Sequence, residues 1–151
     1  METLIEKYQL TPHPEGGYFK EIYRSELSLK SPVTQGVRQA VTQIYFLLTA
    51  GQLSRFHRVV HDEIWHFYEG APLALIQYDG SRVVREEIGP GASYTAVVPG
   101  GVWQAAESTG DYSLVGCTVA PGFDFTDFTF LSDHGEVEGF QTKHPELKKF
   151  I

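Results

Sequence analysis

Residues 54–70 read SRFHRVVHDEIWHFYEG, a stretch crowded with histidines, acids and rings. Side chains on a strand alternate faces. Leu53, Arg55, His57 and Val59 therefore share one face of the first half. Glu63, Trp65 and Phe67 share one face of the second half, and Ile64, His66 and Tyr68 the other. Both faces of the second half carry large rings, so periodicity alone does not select the interior. A turn at 60–62 would set His57 opposite Glu63 across an antiparallel pair. A histidine facing a carboxylate suits acid–base chemistry or metal ligation.

The surroundings of this stretch are those of an all-β protein. Fifteen glycines and eight prolines punctuate short runs rich in Val, Ile, Tyr, Phe and Thr, the pattern of many short strands in a sandwich or barrel. Strands are expected at 17–24, 40–49, 53–60, 63–69, 73–79, 82–88, 93–98, 102–107, 112–120 and 124–131. Asp79-Gly80 is a hairpin signal. A short amphipathic helix is expected at 2–9, with Leu4, Ile5 and Tyr8 on one face. One or two helical turns are expected in the tail, where Pro145 sits near a first helical position.

The chain of 151 residues suits one domain, 1–151. Hydrophobic residues make up 42% and charged residues 21%, as in soluble globular proteins. A net charge of −7 argues against nucleic acid as a partner, because phosphate binding needs clustered Lys and Arg. One cysteine, Cys117, leaves no intramolecular disulfide, and its apolar run makes it a buried small hydrophobe. No apolar run approaches membrane-spanning length, and the first residues lack a signal pattern, so the expected compartment is the cytoplasm.

A second motif lies downstream. Pro99, Gly101 and Gln104 stand at the spacing P-x-G-x-x-Q, and His57, Glu63 and Gly70 precede them in order. Together they resemble the two motifs of the cupin superfamily. HPEGGYFKEIYRS (13–25), IYFLL (44–48), SRFHRVVHDEIWHFYEG (54–70), VVPGGVWQAAE (97–107) and SLVGCTVAPGFDF (113–125) narrow the resemblance. They are similar to an uncharacterised family grouped with the RmlC-like cupins, named after the rhamnose-pathway epimerase. The resemblance implies a single antiparallel jelly-roll β-barrel, paired into a homodimer, and no established reaction.

Metal-binding cupins take two histidines from H-x-H, then the glutamate, then a histidine in the second motif. Here Val59 stands at the second position and Gln104 at the last, so His57, Glu63 and Gln104 would make a weak site for a divalent metal. His61 is expected at the surface, in a turn. The leading expectation is a metal-free pocket in which His57 and Glu63, as a coupled catalytic pair, move a proton next to a carbonyl. Gln104 would hold the ligand by hydrogen bonds and Trp65 would form a pocket wall. Tyr18 and Arg24 are further ligand-binding candidates, Arg24 for a carboxylate or phosphate.

Three functions follow as expectations. The first is an isomerase- or epimerase-type enzyme acting on a small polar or sugar-like molecule. The second is a metal-dependent oxygenase or lyase. The third is a non-catalytic binding module for a small molecule. Trp103 is expected in the core or a dimer contact, Gly16-Gly17 in a turn, and the aromatic run 123–130 in the core or a subunit interface.

Overall fold

Alternating apolar residues build two sheets that face each other, and the computed structural model describes residues 3–151. In chain order the elements are α1 (Leu4–Tyr8), β1 (Thr11–Pro12), β2 (Tyr18–Arg24), β3 (Ser28–Lys30), β4 (Val37–Gln39) and β5 (Thr42–Thr49). There follow β6 (Leu53–Arg58), β7 (Asp62–Gly70), β8 (Leu73–Tyr78), β9 (Val83–Ile88), β10 (Thr95–Val98), β11 (Trp103–Ser108), β12 (Tyr112–Ala120), β13 (Thr129–Phe130) and α2 (Val137–Lys143). One sheet runs β1-β2-β5-β12-β7-β10, the other β13-β6-β11-β8-β9, and β3 and β4 form a separate hairpin. Every ladder between these strands is antiparallel. The result is the expected all-β jelly roll with a short N-terminal helix.

Between the sheets lie Phe46, Leu48, Trp65, Leu73, Leu75, Val98, Val115 and Cys117. The outer face of the first sheet is partly covered by α1, where Leu4, Ile5 and Tyr8 pack on Leu10, Leu47 and Leu114. The outer face of the second is covered by the C-terminal segment, through Phe140 and Phe150 against Phe56, Ile76 and Trp103. Hence strands β6, β8 and β11 bury residues on both faces, and β8 (LALIQY) reads as a nearly continuous apolar run.

Four features depart from the sequence reading. The 124–131 strand is broken: Asp124 accepts hydrogen bonds from the Thr126 backbone and hydroxyl and turns Phe125–Asp127 into a 3-10 turn, leaving Thr129–Phe130 as strand. The β3–β4 hairpin and helix α2 carry too little periodicity to stand out. The helix expected at 2–9 is Leu4–Tyr8, capped by Thr3 and Glu6 in a reciprocal capping box, and residue 2 lies outside the described residues. Finally, β6 and β7 are not a hairpin pair. The chain crosses from one sheet to the other at 59–61, so His57 and Glu63 approach each other across the sandwich.

The segment between β1 and β2 tucks against β6. The Arg55 N–H donates to the Glu15 carbonyl at 2.9 Å, and Ser54 Oγ donates to Glu15 Oε1 at 2.9 Å. This approach depends on Gly16, whose φ is +113° and whose missing side chain would fall 1.9 Å from the Leu53 carbonyl oxygen. Gly16→Ala is therefore expected to cost about 1–3 kcal/mol of stability from the backbone conformation alone. Chemical denaturation of the two proteins measures it, and an unchanged midpoint would show that the loop does not need this contact.

Candidate active site

The two sheets leave a cavity at one end of the sandwich, walled by His13, Glu15, Phe19, Thr42, Ile44, His57, Val59, Glu63, Cys117, Val119, Phe123 and Phe128. Strand β6 supplies His57 and β7 supplies Glu63, both buried. The loop before β2 supplies His13 and Glu15, and the turn after β12 supplies Phe123 and Phe128.

His57 does not bond to Glu63. Its Nε2 lies 2.9 Å from Glu15 Oε2, and its Nδ1 lies 2.7 Å from the Arg55 carbonyl. Both partners are acceptors, so both ring nitrogens carry a proton and the ring is an imidazolium. Phe128 stacks on it at 5.1 Å and 12°. Burial disfavours the charged ring, yet the Glu15 charge and hydrogen bond outweigh burial and hold the His57 pKa above its ordinary value. Burial likewise works against the Glu15 carboxylate. The His57 charge and hydrogen bond overcome it, aided by the Ser54 hydrogen bond, and keep Glu15 below the usual range. The expected His57–Glu63 pair is thus not formed: the carboxylate bonded to His57 is Glu15.

Glu63 is the carboxyl left without a bonded cation. Burial pushes its pKa up to about 7; the His57 charge pulls down and the Glu15 charge pushes up. Gln104 fixes its orientation. Trp65 Nε1 can only donate, and it donates to Gln104 Oε1 at 2.8 Å, so Gln104 Nε2 must face Glu63 Oε1, at 2.7 Å. An amide N–H cannot accept, so the Glu63 proton resides on the other oxygen. Cys117 lines the cavity with Glu63, and burial raises its thiol pKa well above the ordinary value, so it stays a neutral S–H. His13 is a neutral ring, its pKa lowered by burial, and its Nδ1 accepts the Glu15 N–H at 3.1 Å.

The remaining candidates fall elsewhere. Gln104 and Trp65 are buried one layer behind the cavity wall, and the Gln104 amide is engaged with Trp65 and Glu63 rather than with a ligand. Tyr18 packs with the cluster beneath α1. Arg24 lies at the rim, bonded to Glu21 at 2.6 Å and to the Phe123 carbonyl at 3.1 Å. His61 is buried rather than solvent-facing. Ser31 Oγ accepts the Val33 and Thr34 N–H groups, so its own proton goes to His61 Nε2 at 2.7 Å. The other His61 nitrogen lies 3.7 Å from Asp127, which Arg38 grips with two hydrogen bonds of 2.7 and 2.8 Å. This network pins the aromatic turn against the β3–β4 hairpin. Glu15 does not stand out in the sequence; its signal is the PEGG run in a segment carrying the family resemblance.

The metal set expected from His57, Glu63 and Gln104 does not fit as placed. Both His57 nitrogens are donors, Gln104 turns its nitrogen rather than its oxygen toward Glu63, and Val59 offers no donor. Among the described residues no group of three or more His, Cys, Asp or Glu is arranged to hold a metal ion. What the arrangement offers is a proton-bearing carboxyl of near-neutral pKa beside a fixed ion pair. No described helix is long and apolar enough to cross a membrane.

Comparison with known proteins agrees with this architecture. Residues 2–131 match the family described as "Cupin superfamily (DUF985)". An uncharacterized protein of Saccharomyces cerevisiae is 33% identical over 157 aligned positions, covering 91% of this chain and 78% of its own. A hypothetical protein from Leishmania major superposes with a TM-score of 0.86 at 31% identity, over 96% of this chain and 94% of that one. A protein of Shewanella oneidensis does so with 0.81 at 32% identity, over 99% and 94%. More distant neighbours, at 14% and 16% identity, include enzymes and share the fold alone. The chain belongs to the DUF985 family of the cupin superfamily.

Proposed function

We propose that this cupin is an enzyme of the isomerase type that moves a proton on the carbon next to a carbonyl of a small molecule. The observation that supports it is Glu63, a carboxyl facing a cavity with a pKa of about 7. A proton carrier works best when its pKa lies near the working pH. In its carboxylate form Glu63 takes the proton from carbon; the electron pair passes to the carbonyl oxygen as an enolate. Glu63 then returns the proton to carbon, and no electrons are gained or lost. The His57 imidazolium supplies positive charge beside the developing enolate in a site of low polarity, where such charge acts strongly. Glu15 holds that charge in place, and Gln104 orients Glu63.

Hydrogen–deuterium exchange of 2-butanone in D2O, followed by NMR, reads the step directly. The exchange rate should rise with pH through about 7 as Glu63 ionises, and fall again above the raised His57 pKa. Glu63→Gln should lower it by roughly 100-fold or more, the lower range of general acid–base contributions. A Glu63→Gln protein that exchanges at the wild-type rate would end this reading.

We further propose that two copies associate through the outer face of the six-stranded sheet, which leaves Ile64, Tyr68, Tyr94 and Val97 exposed. Light scattering after gel filtration should report a dimer, and Val97→Asp should report a monomer. An unaltered mass for Val97→Asp would place the contact elsewhere.

A further inference from the structure

The cavity beside Glu63 is small, about 40 Å³. That is the space open to the centre of a water-sized sphere, and by the same measure one water needs roughly 10–15 Å³, so the cavity admits a group of a few heavy atoms and not a sugar ring. Outside it lies a groove of about 600 Å³ lined by Phe19, Glu21, Arg24, Thr42, Ile44, Phe123, Asp124 and Phe125. Phe19, Thr42, Ile44 and Phe123 belong to both, so cavity and groove form one continuous site. A ligand whose reacting end reaches Glu63 must lay its body in the groove.

The chemistry of the walls says what that body is. The polar groups are already engaged with one another. Arg24 is bound to Glu21 and the Phe123 carbonyl, and Asp124 to Thr126. Thr42 Oγ1 accepts the Phe123 N–H, and Glu15 is held by Ser54 and His57. Among the described residues no buried side-chain nitrogen or oxygen lacks a partner. A body rich in hydroxyls would lose water and find few partners here. Apart from the half-exposed Arg24–Glu21 pair and Asp124, the groove wall is ring and aliphatic surface. Phe125 is 52% exposed, and its ring meets that of Phe123 at 4.8 Å and 83°.

From this we propose that the substrate class is a small ketone or aldehyde with a flat apolar body, rather than a sugar. The carbonyl end enters the cavity and the body lies against Phe19, Ile44, Phe123 and Phe125. The inference rests on the proton-transfer reading only for which end faces inward.

The test uses two ketones that share a carbonyl at the second carbon and have opposite bodies, 4-phenyl-2-butanone and L-erythrulose. Binding is read by saturation-transfer NMR with competition, and turnover by deuterium exchange next to the carbonyl. The phenyl ketone should bind at least about tenfold more tightly, and Phe125→Ala should weaken it several-fold, the scale of one aromatic contact. Because Phe125 is half exposed, its truncation leaves the core intact. Equal or tighter binding of L-erythrulose, no binding of either, or no effect of Phe125→Ala would each overturn the proposal. Binding of the phenyl ketone without exchange would uphold the ligand class and sink the proton-transfer reading. Exchange of L-erythrulose alone would do the reverse.

Discussion

Two buried carboxyls compete for one buried cation, and the rest of the site follows from how that competition ends. A charge taken out of water must be paired or neutralised. Glu15 lies 2.9 Å from His57 and also accepts from Ser54, so it stays ionised. Glu63 has the cation only at a distance and the Glu15 charge against it, so it holds its proton up to about pH 7. The consequences for stability have opposite signs. Glu63 binds a proton more tightly folded than unfolded, so its contribution is full below about 4.5 and fades as pH rises toward 7. His57, also raised, contributes below its unfolded value and fades as pH climbs through its folded one. Glu15, lowered, contributes above its unfolded value and fades in acid.

The scaffold makes this competition possible by bringing three remote segments together. The corner between β6 and β7 sends consecutive strands into opposite sheets, which sets His57 and Glu63 on facing walls. Gln104 bridges the same walls, accepting a hydrogen bond from Trp65 and donating one to Glu63. The loop bearing Glu15 reaches β6 because Gly16 can take a positive φ where a side chain would strike backbone. The aromatic turn closes the cavity, and Asp127 anchors that turn to Arg38 on β4, with His61 close by. A glutamine where metal-binding cupins carry a histidine thus serves to orient a carboxyl.

Most of the fold was legible because it rests on local rules. Turn residues and alternation located every strand from β5 to β12 to within about two residues, and the ordered motifs gave the jelly roll. His57 and Glu63 were legible as neighbours because the motif places them. Their lack of a direct bond was not, since sequence spacing suggests a hairpin and only the sheet crossing reveals otherwise. Glu15 was hidden because its partner His57 lies on a remote strand, and nothing local marks an acid in a turn as buried. The burial of His61 was hidden for a related reason: a histidine in a turn is normally solvated, and here Ser31 and Asp127 arrive from distant segments to enclose it. The 124–131 strand failed because a side-chain hydrogen bond to Asp124 outcompeted β propensity.

The chemistry of the cavity stands on the protonation state of Glu63. Its side-chain carboxyl carbon can be followed by NMR from pH 4 to 9 in protein labelled with 13C glutamate, with Glu63→Gln identifying the signal. The predicted midpoint is near 7, moving to higher pH when His57 is replaced by Gln, because the nearby positive charge is lost. A midpoint close to the ordinary 4.5 would contradict it, since Glu63 would then be a plain carboxylate at neutral pH and the cavity would hold no proton to give.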